Sequence, residues 1–157
     1  MPLTAIHSGP ADLTVDWELP AAAEQVWQAL TQPALLETWL GTLTDGEIAT
    51  DADFTVAHGA GYNCISRVSE FKPNAVLRYS WLFPDEPASD VTFTLSAAGD
   101  LTRVQLTHRG LADLVPSYRD GWIVHLTYLE AAVLGIPLPK QFFWQLHATV
   151  ASLGGKV

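Results

Sequence analysis

Two repeating patterns divide the chain. From Leu13 to Leu19, apolar residues occupy every second position (Leu13, Val15, Trp17, Leu19), with Thr14, Asp16 and Glu18 between them. That period of two predicts a strand with one buried face. The same alternation returns in Phe54, Val56 and His58, in a strand over 62–71, and in Leu77, Tyr79, Trp81 and Phe83. It continues through Val91, Phe93 and Leu95 and ends with Val104, Leu106 and His108. Turn chemistry separates the runs: Asp45-Gly46, Gly59-Ala60-Gly61, Lys72-Pro73-Asn74, Pro84 to Pro87, and Ala98-Gly99-Asp100. A short strand is also expected over Glu47–Thr50, and residues 1–11, with Pro2, Gly9 and Pro10, are expected to form a loose leader.

Four stretches carry a helical period instead. Behind Pro20, Ala21–Leu30 presents Val26, Trp27 and Leu30 on one stripe, with Glu24 near the positive end of the helix dipole. Beyond Pro33, a second short helix over Ala34–Leu40 carries Leu36 and Trp39. The longest helical run covers 118–134, where Trp122, His125, Leu126, Leu129 and Val133 fall at i, i+3, i+4, i+7 and i+11. Gly135, Pro137 and Pro139 end it. Helical spacing then resumes over 140–153 through Phe142, Phe143, Leu146, Val150 and Leu153.

One-sided alternation with short turns predicts an antiparallel sheet, because a parallel sheet covered on both faces shows continuous apolar runs. A strand, two short helices, further strands and a long late helix make an α+β order. The expectation is a curved sheet of six to seven strands that grips the long helix, since nothing else in the chain is long enough to cover its apolar face. This domain is expected over 12–135, with 136–157 as a helical extension packed on it or at a dimer contact.

Composition narrows the partners. Only 16% of residues are charged while 48% are hydrophobic, which points to extra buried surface or a lined cavity. The 17 acidic and 8 basic residues leave a net charge of -9 with no cationic run, so nucleic acid and anionic membrane are poor partners. Cys64 is the single cysteine, which excludes an intrachain disulfide and suggests a reducing, cytoplasmic setting. The start of the chain has no secretory signal pattern, and no run of ~18 apolar residues exists to insert in a membrane.

The segments AAAEQVWQALTQPALLETWLG, SRVSEFKPNAVLRYSW and VQLTHRGL, followed by Gly121-Trp122 and YLEA, occur in an order that resembles the START-related (SRPBCC) superfamily. The nearest likeness is to the subfamily of the C-terminal domain of the heat-shock-protein-90 ATPase activator. Val26, Trp27, Leu30, Pro33, Leu36 and Trp39 carry most of it, and it covers about 12–135. The resemblance implies a helix-grip fold with a cavity that often takes apolar small molecules, in a family that also holds aromatases, cyclases and a co-chaperone. Fold alone therefore leaves function open.

Cavity candidates come from both walls. Tyr62, Cys64, Tyr79, Trp81, Phe93, Leu106 and His108 are expected on the sheet side, and Trp122, His125, Leu126 and Leu129 on the helix side. The same side chains would equally fill an ordinary dense core. His108 and His125, with Tyr79, could orient a carbonyl or phenol or move a proton, or could be core histidines satisfied by backbone. Cys64 has no neighbouring base in sequence, and the five histidines show no metal-binding spacing, so neither a nucleophile, a metal nor a cofactor is expected. Phe142 to Trp144 would either close the cavity mouth or pair two subunits. Three functions remain: binding of a lipid-like or polyketide-like molecule, an acid–base enzyme of aromatase/cyclase or hydratase type, and a chaperone-interacting regulator.

Overall fold

A computed structural model describes residues 2–154. The alternating segments form eight strands: β1 (Leu3–Ser8), β2 (Leu13–Leu19), β3 (Thr42–Gly46), β4 (Asp53–Ala57), β5 (Asn63–Lys72), β6 (Val76–Trp81), β7 (Ser89–Ala98) and β8 (Leu101–Arg109). They make one antiparallel sheet in the order β1-β2-β8-β7-β6-β5-β4-β3. In β2 the period of two is literal: Leu13, Val15, Trp17 and Leu19 are buried and the residues between them are not. Register carries that face across the sheet, pairing Val15 with Leu106 and Leu106 with Phe93. Bulges at Leu43/Asp45 and Val68/Glu70 bend the sheet.

The helices are α1 (Ala23–Thr31), α2 (Pro33–Trp39), α3 (Val115–Val133) and α4 (Phe143–Gly154). Between β2 and the far edge strand β3, α1 and α2 carry the chain across the concave face. There α3 is clasped: Trp122, Leu126 and Leu129 are all but inaccessible to solvent. Burying each leucine contributes ~1.5–3 kcal/mol relative to exposure. Two indoles tie the helix to strands, Trp17 Nε1 donating to Glu130 (2.8 Å) and Trp122 Nε1 donating to His108 on β8 (3.0 Å). The helix ends on Gly135, whose φ of 77° lets its own N–H reach Ala132 and that of Ile136 reach Ala131. That reversal sends α4 back along α3, with Phe143, Leu146 and Val150 packed against the core.

Three sequence expectations are corrected. Residues 3–8 are an edge strand rather than part of a loose leader; a bulge between Leu3 and Ala5 and solvent on the open edge erase the alternation that would reveal it. The strand expected at Glu47–Thr50 lies earlier, at Thr42–Gly46, and Ile48 is buried without strand pairing. Gly46 belongs to that strand: its φ is 73°, and a Cβ there would sit 2.0 Å from the Asp53 carbonyl oxygen. The sheet consequently has eight strands, not six or seven. Among the described residues no helix is long and apolar enough to cross a membrane, and no cluster of His, Cys, Asp and Glu could hold a metal ion.

Candidate functional site

Two stripes of α3 do different work. Trp122, Leu126 and Leu129 face the sheet and fill the core. One step round, Ser117, Tyr118, Gly121, His125 and Tyr128 follow the same three-and-four spacing and line a cleft of about 500 Å³. Its other walls come from the end of α2, from Ala57, His58 and Tyr62 around the β4–β5 hairpin, from Trp81 and Phe83, and from Phe143, Trp144 and His147 on α4.

Two histidines meet in this cleft. The His58 and His125 rings stand perpendicular with centroids 6.0 Å apart. His125 Nδ1 lies 2.9 Å from the Trp39 carbonyl oxygen. A carbonyl only accepts, so Nδ1 carries the proton and Nε2 is left with a lone pair. That Nε2 has no hydrogen-bond partner among the described residues. His58 Nε2 is buried with no partner among the described residues, and its ring is packed by Trp81 (5.4 Å) and Phe83 (5.1 Å). Burial holds His125 down to about 4, against the pull of the Trp39 carbonyl. Burial, then the neighbouring His125, holds His58 at about 3. Both rings are therefore neutral at pH 7, and an unpaired buried nitrogen is costly, at ~1–3 kcal/mol.

The rim is tied by tyrosines. Tyr118 accepts from Trp81 Nε1 (2.9 Å) and donates to Glu86. Tyr62 stacks on Phe83 at 4.3 Å and donates to Asp85 (2.8 Å). Burial and these carboxylate acceptors raise both phenols, so they remain donors. Tyr128 donates to the Pro139 carbonyl (2.6 Å), fixing the turn into α4. Across the mouth, Lys140 pairs with Glu37 at 3.2 Å.

Of the residues expected at the cavity, Tyr62, Trp81, Trp122 and His125 line the cleft. Cys64, Tyr79, Phe93, Leu106, His108, Leu126 and Leu129 lie in the packed core beneath it and do not reach it. His108 is fully committed: the Trp122 indole, which only donates, occupies Nδ1, so Nε2 carries the proton toward Ser89 Oγ at 2.7 Å. Its partners are side chains, not the backbone expected for a core histidine, and burial holds it at about 3. Burial likewise raises the Tyr79 phenol and pushes the Cys64 thiol up to about 11. His58 was legible as sharing a face with Phe54 and Val56, yet its spacing gave no reason to single it out. Glu86, Tyr118 and His147 reach the cleft from distant segments that no local pattern connects.

Comparison with known proteins agrees with this architecture. The family described as Activator of Hsp90 ATPase homolog 1-like protein matches residues 20–133. No curated protein matches the chain. Among solved structures, CalU16 from Micromonospora echinospora superposes with a TM-score of 0.76 at 20% identity, over 98% of this chain and 94% of that one. DynU16, from the dynemicin biosynthetic locus, gives 0.75 at 24% identity over 82% of this chain, which spans only 49% of DynU16. Protein MLL2253 from Mesorhizobium loti gives 0.73 at 27% identity, over 81% of this chain and 99% of that one.

Proposed function

Because the chain belongs to the Activator of Hsp90 ATPase homolog 1-like family and shares its helix-grip fold, we propose that the cleft beside α3 binds a small amphipathic molecule with an aromatic body and a hydroxyl or phenol. One observation carries the reading: two neutral imidazoles converge in an aromatic-walled cleft with unengaged nitrogens. A ligand hydroxyl would donate to His125 Nε2, and the His58 ring would supply the complementary partner.

Magnitudes favour a receptor over an acid–base enzyme. Histidines held near 3 and 4 are weak bases at neutral pH, and no carboxylate hydrogen-bonds either ring among the described residues. Burying ~300 Å² of an apolar ligand is worth ~7 kcal/mol, against at least ~4 kcal/mol for association. Two hydrogen bonds of ~1 kcal/mol each bring the net to ~5 kcal/mol, a Kd of roughly 0.2 mM for a two-ring probe.

Titration with naphthol and naphthalene tests this. Naphthol should bind several-fold tighter, and His58→Phe or His125→Phe should erase that advantage while sparing naphthalene. Equal affinities in the unaltered protein would overturn the assignment.

A further inference from the structure

The charges around the cleft say which polar end it accepts. Among the described residues its lining holds three formally charged side chains, Glu37, Glu86 and Lys140. Lys140 is spent on Glu37, 3.2 Å away. Glu86 receives only the neutral phenol of Tyr118, which satisfies an oxygen without cancelling the charge. Two of the three histidines in the wall, His58 and His125, are held neutral by burial. Among the described residues no arginine lines the cleft, although five occur in the chain, and the whole molecule carries a net charge of -9. The walls are aromatic, with Trp81, Trp122 and Phe143 in the lining, and aromatic faces attract cations and repel anions.

Resting on the reading of the cleft as a receptor, we propose that it selects by charge. It takes uncharged or amine-bearing aromatic amphiphiles and rejects those ending in carboxylate, sulfonate or phosphate, with Glu86 as the residue that sets the choice. Fatty acids and phospholipid headgroups thus lie outside its range. An anion needs a paired donor or cation when it leaves water. Here it would meet an unpaired carboxylate and the lone pair of His125 Nε2. One uncompensated like charge in a partly solvated site weakens binding by roughly tenfold or more.

A matched pair of fluorescent probes separates this proposal from the one beneath it. Phenylnaphthylamine is uncharged, and anilinonaphthalene sulfonate is the same skeleton with one anionic group. Titrated at about pH 8, where an ordinary histidine is neutral, the uncharged probe should bind at least about tenfold tighter. Glu86→Gln keeps an acceptor for Tyr118 and removes the charge, so the ratio should fall several-fold. Lys140→Gln frees Glu37 and should widen it. Equal or tighter binding of the sulfonate, or a ratio unmoved by Glu86→Gln, overturns charge selection and leaves the receptor intact. Binding of neither probe overturns the receptor itself, and selection with it.

Discussion

Gly121 is the only glycine inside α3, and its position exposes a trade between stability and space. A glycine in a helix interior costs ~0.5–1 kcal/mol relative to alanine, through backbone entropy. Nothing in the packing demands it: a Cβ at this position would meet no atom within 4 Å. Tyr118 and His125, three before and four after, lie on the same stripe, so that Cβ would project over the cleft. Gly121→Ala is therefore expected to stabilise the protein by ~0.5–1 kcal/mol, a rise in Tm of roughly 1–4 °C for a chain of this size. Gly121→Leu should also fold, because the added atoms enter space and not side chains. It should occupy the cleft and weaken naphthol binding by about tenfold or more. Thermal melts and probe titrations on both variants read the two effects separately. A lower Tm for the alanine variant would mean that the position is packed. Undiminished binding by the leucine variant would mean that the ligand lies elsewhere.

Trp122→Phe keeps an aromatic ring in the core, though a smaller one, and strips His108 Nδ1 of its donor, leaving a buried acceptor unpaired. A loss of ~1–3 kcal/mol is expected in urea unfolding, and an unchanged midpoint would refute the assigned tautomer. Acid should act through His58, His108 and His125, whose folded values near 3 to 4 lie below the ordinary 6.5. Between those limits the unfolded chain binds more protons, so stability that is full above about pH 6.5 declines as pH falls. The slope is up to ~1.4 kcal/mol per unit for each ring, and urea midpoints that match at pH 7 and pH 5 would contradict it.

The sheet and α3 were readable because each buries one face, and burial imposes a period on the sequence. Trp122, Leu126 and Leu129 on α3 and Phe93 and Leu106 on the sheet carried that signal directly. The edges carried less: β1 and β3 are bulged and half-solvated, so nothing forces Leu3, Ile6 or Leu43 into alternation. The cleft was harder still. Alternation puts His108 and His58 on apolar faces alike, but only three-dimensional packing gives the first two partners and the second none. The stripe of Tyr118, Gly121, His125 and Tyr128 contains too few aliphatic residues to stand out beside the core stripe. The sequence left Phe142 to Trp144 between closing the cavity mouth and pairing two subunits, and the turn after Gly135 lays Phe143 on α4 against His125 on α3.

The most direct test of the receptor reading is NMR of the imidazole nitrogens while naphthol is added. His58 and His125 should shift in parallel with saturation, His125 Nε2 toward the position of a hydrogen-bonded acceptor. His108, with both nitrogens occupied, should stay in place. Shifts confined to His108, or no response from His125 when naphthol is saturating, would contradict the account.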